Sequence, residues 1–187
     1  MPDQSISIRE MQSDEIELMV DYFVNSDSKF LQGMGVDKDK LPSRENWITK
    51  LKSDFEKPIE EKEFYYIIWG IDGKPIDHSN ISDINFGKSA KMHLHIWNST
   101  IRQAGLGTKL LAQTIPNYFD IFELKKLICE PFADNPAPNK VLNKIGFKFV
   151  KKYHTTPGWL AFIQDVNKYE LSVNDFKKRF NLKNQIQ

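Results

Sequence analysis

Apolar and polar residues alternate with a period of two from Ile6 through Met11, the mark of a strand with one buried face. Ser13, Asp14 and Glu15 follow as a helix cap before Ile16, Leu18, Met19, Tyr22 and Phe23. Between Ser26 and Pro42 the pattern breaks around Gly33 and Gly35. Pro42-Ser43-Arg44 then opens a second helix carrying Trp47, Ile48, Leu51 and Phe55. Residues 26–57 are therefore expected to form a helical cover. Two β-rich runs, Phe64 to Trp69 and Pro75 to Ile84, flank Asp72-Gly73, a dipeptide favoured in type I′ hairpin turns because both central residues need positive φ.

Lys91 to Trp97 reads as a further strand, and a glycine-containing loop leads from it into a helix through Leu110, Leu111, Ile115 and Phe119. Lys126 to Glu130 forms a short strand. Asn135-Pro136 starts a helix through Val141, Leu142 and Ile145, with Gly146 as its C-terminal cap. Phe147 to Tyr153 and Leu160 to Tyr169 read as strands joined around Thr156-Pro157-Gly158, Val173 to Phe180 as a polar helix, and 182–187 as a frayed tail. No repeat, low-complexity tract or linker interrupts this order, so one α/β domain over 1–187, built on a sheet of mixed strand directions, is expected.

A chain of 187 residues with 40% hydrophobic content can bury one ample core. Its 26 basic and 25 acidic residues leave a formal charge of +1, so no uniform field draws it to nucleic acid or an anionic membrane. Cys129, the single cysteine, excludes an intrachain disulfide and a multi-cysteine metal site, and it fits a cytoplasmic, reducing location. Met1 to Glu10 lacks the apolar centre of a secretory signal, and no run approaches the roughly 20 residues that span a bilayer. A soluble protein is expected.

The loop Arg102-Gln103-Ala104-Gly105-Leu106-Gly107 suits a pyrophosphate. Such a group needs several backbone N–H donors and no side chains in the way, which glycines at the mouth of a helix supply together with the positive end of the helix dipole. Arg102 adds a fixed charge and Thr108 a hydroxyl. Taken alone, the loop reads equally well as a tight strand-to-helix turn. A Walker loop needs Gly-Lys-Ser/Thr at a longer spacing, and a dinucleotide fingerprint needs a third glycine where Leu110 or Leu111 stands.

Four features in order resemble the GNAT superfamily of N-acetyltransferases: the R-x-x-G-x-G loop after a strand, the strand Leu127 to Glu130, the Asn-led helix Asn135 to Ile145, and Gly146-Phe147. The likeness spans roughly Ile6 to Leu171, and the segment Phe30 to Trp47 looks like a bacterial subgroup of unnamed substrate. The resemblance implies a GNAT-like α/β (α+β) fold, a mixed central sheet of about seven strands splayed between the fourth and fifth and flanked by helices. It implies acetyl-CoA as co-substrate, no metal, and transfer of the acetyl group to an amine by direct attack. Leu94, Ile96 and Trp97 would pair with the pantetheine arm much as an added strand does, with a backbone N–H near Ile96 or Trp97 polarising the thioester carbonyl. Arg102, Gln103, Ala104, Gly105, Leu106, Gly107 and Thr108 would wrap the pyrophosphate, with Asn135 and Asn139 beside the pantetheine or thiol end. Many family members carry a proton-donating tyrosine four residues before the Gly of the Gly-Phe pair; here that position is Leu142, leaving Tyr153, a water or no acid.

An alkyl ammonium must lose a proton before it attacks, and Glu130, His93 and His95 are the candidate bases. Glu130 leads because it ends the strand beside the acyl site. His93 and His95 share one strand face and read more simply as packed residues or pocket lining, and a metal would lack a third ligand beyond His78. Phe30, Trp47, Tyr65, Tyr66, Trp69 and Trp97 could line an acceptor pocket, though most read as core; Asp37, Asp39, Asp77 and Asp83 could meet a cationic amine, though loop acids are commonly just solvated. The partners implied are acetyl-CoA and an amine, with no nucleic acid and no membrane; a homodimer is compatible with the sequence. Rival readings keep the fold as a non-catalytic acyl-CoA-binding module, change the acyl chain or the acceptor, or leave the glycine loop purely structural.

Overall fold

A computed structural model describes residues 5–95 and 106–180. Ile96, Trp97, Arg102, Gln103, Ala104, Gly105 and the expected tail at 182–187 lie outside the described residues. Asp72 and Gly73 adopt φ values of 50° and 77°, and with Ile71 opposite Lys74 they close the tight hairpin between β2 (Phe64–Ile71) and β3 (Lys74–Asn85). Positive φ at both positions is what their residue types favour. β1 (Ile6–Glu10) pairs antiparallel with β2, and β4 (Ser89–His95) antiparallel with β3. β5 (Lys126–Cys129) runs parallel to β4. β7 (Gln164–Ser172) lies antiparallel between β5 and β6 (Lys148–Thr155), completing a seven-stranded sheet of order β1-β2-β3-β4-β5-β7-β6. The mixed sheet is the one expected from the resemblance.

Two cores sandwich the sheet. On one face α4 (Leu106–Ile121), the crossover between parallel β4 and β5, packs Leu110, Leu111, Ile115 and Phe119 against Tyr65, Ile67 and Trp69 of β2. α5 (Pro136–Ile145) and α6 (Val173–Arg179) join this core through Leu142, Ile145 and Phe176. On the other face α1 (Ile16–Val24), α2 (Ser28–Gly33) and α3 (Arg44–Phe55) meet Tyr66 and Ile68, the alternate residues of the same strand. Asn135 caps α5 by accepting from Ala137 N, and Gly146 ends it at φ 104°.

Three details depart from the sequence reading. Residues 26–42 contain the helix α2, capped by the Asp27 side chain on Phe30 N at 2.8 Å; six residues are too few to show a 3.6-residue period. The polar α6 is anchored by Phe176, which is buried. β7 begins at Gln164 rather than near Leu160, because Leu160 turns aside to accept a hydrogen bond from Asp37 N at 2.8 Å. Among the described residues, no helix is long and apolar enough to cross a membrane.

Candidate active site

Alternation along β4 divides its side chains between the two faces. Ala90, Met92 and Leu94 turn toward α4, while Lys91, His93 and His95 line a cavity of about 550 Å³ beneath α1–α3. His95 stands opposite His78 of β3, and His93 opposite Asn80. The His78 and His95 rings stack with centroids 4.9 Å apart at 21°, and Phe23 meets His95 edge-on at 5.1 Å. Burial pushes His78 well below the ordinary imidazole range. It brings His95 down to about 3, with His93 adding to the effect. His93 falls to about 4 through burial and the nearby Lys91 charge. The floor of the cavity is thus neutral at pH 7. His93 Nε2 lies 2.9 Å from Ser82 Oγ.

The parallel ladder between β4 and β5 consists of Ser89↔Lys126, Ala90↔Leu127 and Lys91↔Ile128, and β4 then runs on to His95 without a β5 partner. The strands part where the resemblance places the splay. Glu130, the residue after β5, sits at this fork and faces the cavity with its side chain 7% exposed. Its Oε1 accepts the Tyr153 hydroxyl, and its Oε2 is 3.3 Å from Lys91 Nζ. Burial and the bond to Glu130 push Tyr153 up to about 12, so the phenol keeps its proton at neutral pH. Lys91 also reaches Asp83 at 3.1 Å and Pro157 O at 3.3 Å. Burial alone would lower the Lys91 ammonium, but the two carboxylates outweigh it and the net shift is upward. Asp83 is placed by an irregularity between Ser82 and Asn85 in which it takes φ 48°, a conformation Asp tolerates better than most side chains.

Other predicted residues fall as follows. Leu106, Gly107 and Thr108 form the first turn of α4 and are partly exposed, as an anion site at a helix N-terminus requires. Asn139 is engaged within the protein: its Nδ2 donates to Asn135 O at 2.7 Å and Phe132 O at 3.2 Å, and its Oδ1 accepts from Asn167 Nδ2 of β7 at 2.8 Å. Leu142 is fully buried in the α4-side core. Trp47 and Tyr66 line the cavity, whereas Tyr65 and Trp69 face α4, where Trp69 Nε1 donates to Thr114 Oγ1 at 2.8 Å. Phe30 packs against Tyr22. Asp77 is buried and accepts from His78 N, and Asp37 caps the turn at 38–40. Sequence reasoning passed over Lys91, Ser82, Gln164 and Trp159, all of which line the cavity. Lys91 was detectable, two residues before His93 on the same strand face; Trp159 and Gln164 arrive through a long-range contact that no local pattern signals.

The roof closes across sequence. Val36 forms an antiparallel bridge with Ala161, Gln164 Nε2 donates to Gly35 O at 2.8 Å, and Lys40 Nζ donates to Ala161 O at 2.7 Å. Gly35, at φ 83°, lies so close to Gln164 that a side chain there would collide with its amide.

The chain that folds into this forked mixed sheet, with a crossover helix at the fork and a carboxylate beside it, is matched over residues 6–148 by a family profile described as acetyltransferase (GNAT) domain. The chain belongs to the GNAT acetyltransferase family. As a GNAT protein it is an acetyl-CoA-dependent N-acetyltransferase. Its fold is similar to that of ribosomal-protein-S5-alanine acetyltransferase from Vibrio fischeri (17% identity, TM-score 0.73, covering 95% of this chain and 98% of that one). It is also similar to spermidine N-acetyltransferase from Vibrio cholerae in complex with CoA and spermine (15%, TM-score 0.71, 91% and 97%). An aminoglycoside acetyltransferase in complex with coenzyme A is a third (16%, TM-score 0.71, 93% and 98%). At these identities the likeness is one of fold. Among curated proteins, none matches the sequence of this GNAT chain.

Proposed function

We propose that this acetyltransferase acetylates an amine held in the cavity beneath α1–α3, with Glu130 as the base. The observation that carries the reading is the Glu130 carboxylate at the β4–β5 fork, facing the cavity and bonded to a phenol. Tyr153 and Lys91 fix the carboxylate, whose oxygens together offer about four acceptor sites and so keep lone pairs for a substrate ammonium. Glu130 takes the ammonium proton, the amine forms its bond to the thioester carbon, and the C–S bond breaks. Tyr153 then protonates the departing thiolate and recovers a proton from Glu130, replacing the donor that Leu142 cannot be, and the freed Glu130 carboxylate takes the second proton, which the acylated nitrogen sheds, and passes it to solvent. His93 and His95 are held too far below neutrality to compete as bases at pH 7, which favours a lining role for both.

Acetyl-CoA binding is assigned to Leu94, Ile96 and Trp97, to Arg102, Gln103, Ala104, Gly105, Leu106, Gly107 and Thr108, and to Asn135 and Asn139. The open first turn of α4 supports the pyrophosphate part. The bonds of Asn139 to Asn135, Phe132 and Asn167 suit a residue that holds α5 against β7. We take 1–187 as a single domain with 26–57 as its acceptor-side cover, in the cytoplasm, as a monomer or homodimer that binds no nucleic acid.

Calorimetric titration with acetyl-CoA tests the reading. Saturable binding, abolished in Gly105→Glu by bulk and like charge, is expected. A folded native protein that does not bind would overturn it.

A further inference from the structure

The interior of the cavity is aromatic and neutral, and its charges are confined to the ends. Met19, Phe23, Trp47 and Tyr66 are each at most 7% exposed, and the floor beneath them is the stacked His78–His95 pair. Among the described residues, Glu130 is the one lining carboxylate that is not exposed, and it already faces Lys91 at 3.3 Å. At the rim, Glu63 is paired with Lys57 at 2.7 Å and Asp83 with Lys91 at 3.1 Å, while Glu60 and Glu61 are exposed to solvent. The outer aromatic end is covered by a cation: Lys50 Nζ sits 5.2 Å from the Trp159 ring and 5.5 Å from that of Phe64. Trp159 itself meets Trp47 edge-on at 5.6 Å.

These positions weigh against an acceptor carrying several charges. A second ammonium running outward from Glu130 would leave water for an interior whose described lining holds no second buried carboxylate, since Glu60, Glu61, Glu63 and Asp83 are all exposed to solvent. At the outer end it would meet Lys50. A flat apolar body faces neither cost: it would replace water against Trp47, Tyr66 and Trp159 with ring contacts, and a single amino group would suffice for Glu130.

Resting on the acetyltransferase reading above, we propose that the acceptor is a small monoamine carried on a flat aromatic body. The ring occupies the end bounded by Trp47, Tyr66 and Trp159, and the amine reaches Glu130 at the β4–β5 fork. Neutral histidines complete the floor of that subsite.

The test follows CoA release from the full chain at saturating acetyl-CoA with 2-phenylethylamine, spermidine, an aminoglycoside and a short peptide with a free N-terminus. The expected result is a kcat/KM for 2-phenylethylamine about 100-fold above the others. Trp159→Ala, at a side chain 44% exposed and so tolerant of truncation, should raise KM for 2-phenylethylamine about five- to tenfold with kcat and acetyl-CoA affinity unchanged. Preference for spermidine, the aminoglycoside or the peptide overturns the inference while leaving the acetyltransferase intact. So does turnover of none of the four by a chain that binds acetyl-CoA. Failure to bind acetyl-CoA instead overturns the reading beneath it.

Discussion

The face of the sheet under α4, α5 and α6 is a closed core, whereas the face under α1–α3 is a core built around a hole. On the first, Leu110, Leu111, Leu142, Ile145 and Phe176 fill the space between helices and strands. On the second, Met19, Phe23, Trp47 and Tyr66 are just as buried, yet with His78, His93 and His95 they surround about 550 Å³ of open space. One strand serves both, Ala90 for the filled side and His93 for the hollow one. The contrast separates two tasks. The filled side holds the β4–α4–β5 crossover rigid, so that the fork and Glu130 stay in register. The hollow side leaves room for an acceptor and is closed by contacts far apart in sequence, Val36 to Ala161 and Gln164 to Gly35.

The largest expected effect breaks the filled side. Leu111→Ala should cost about 3 kcal/mol of unfolding free energy in urea titration, since the methylenes it loses leave a cavity that helix and sheet cannot close. Met34→Ala, at a partly exposed residue on the cavity wall, should cost under about 1 kcal/mol because its side chain already borders open space. Equal costs for the two would erase the contrast. Next, Glu130→Gln should lower kcat about 100-fold while acetyl-CoA affinity by calorimetry stays within about twofold.

Acid should attack the hollow side selectively. A histidine whose folded pKa is depressed leaves the unfolded state binding more protons, so its contribution is present above the unfolded value of about 6.5 and is lost as pH falls toward the folded one. With His93 at about 4 and His95 at about 3, lowering pH from 7 to 5 should remove about 2 kcal/mol of stability for each of the two. His95→Gln should flatten that slope in denaturant titrations, and an unchanged slope would show that other groups carry it. The smallest effect sharpens the filled side: Asn135→Ala removes the cap of α5 and should cost about 1 kcal/mol by thermal melting.

Legibility divides along the same line. The I′ turn at Asp72-Gly73, the Asn135 cap, the Gly146 terminator and the apolar stripe of α4 are local devices, each readable from a few neighbouring residues, and all appear where their residue types place them. The placement of Glu130 beside the fork was legible because the end of a short strand follows from the sequence. Its partners were not, since Tyr153 and Lys91 come from two other strands. Nor was the burial of the histidines. Alternation predicted that His93 and His95 share a face, but which face, and what covers it, depends on α1–α3 folding over it.

The amino-acid sequence by itself determined the order of elements, the two-faced alternation of β4, and the helix caps and turns, because each is set by backbone preference and side-chain type within a few residues. Tertiary structure alone decided the bond between Tyr153 and Glu130, the neutrality of the histidine floor, and the roof that joins Val36 to Ala161. These depend on desolvation and on distances between strands far apart in the chain, and neither quantity exists until the sheet has formed and the cover has closed on it.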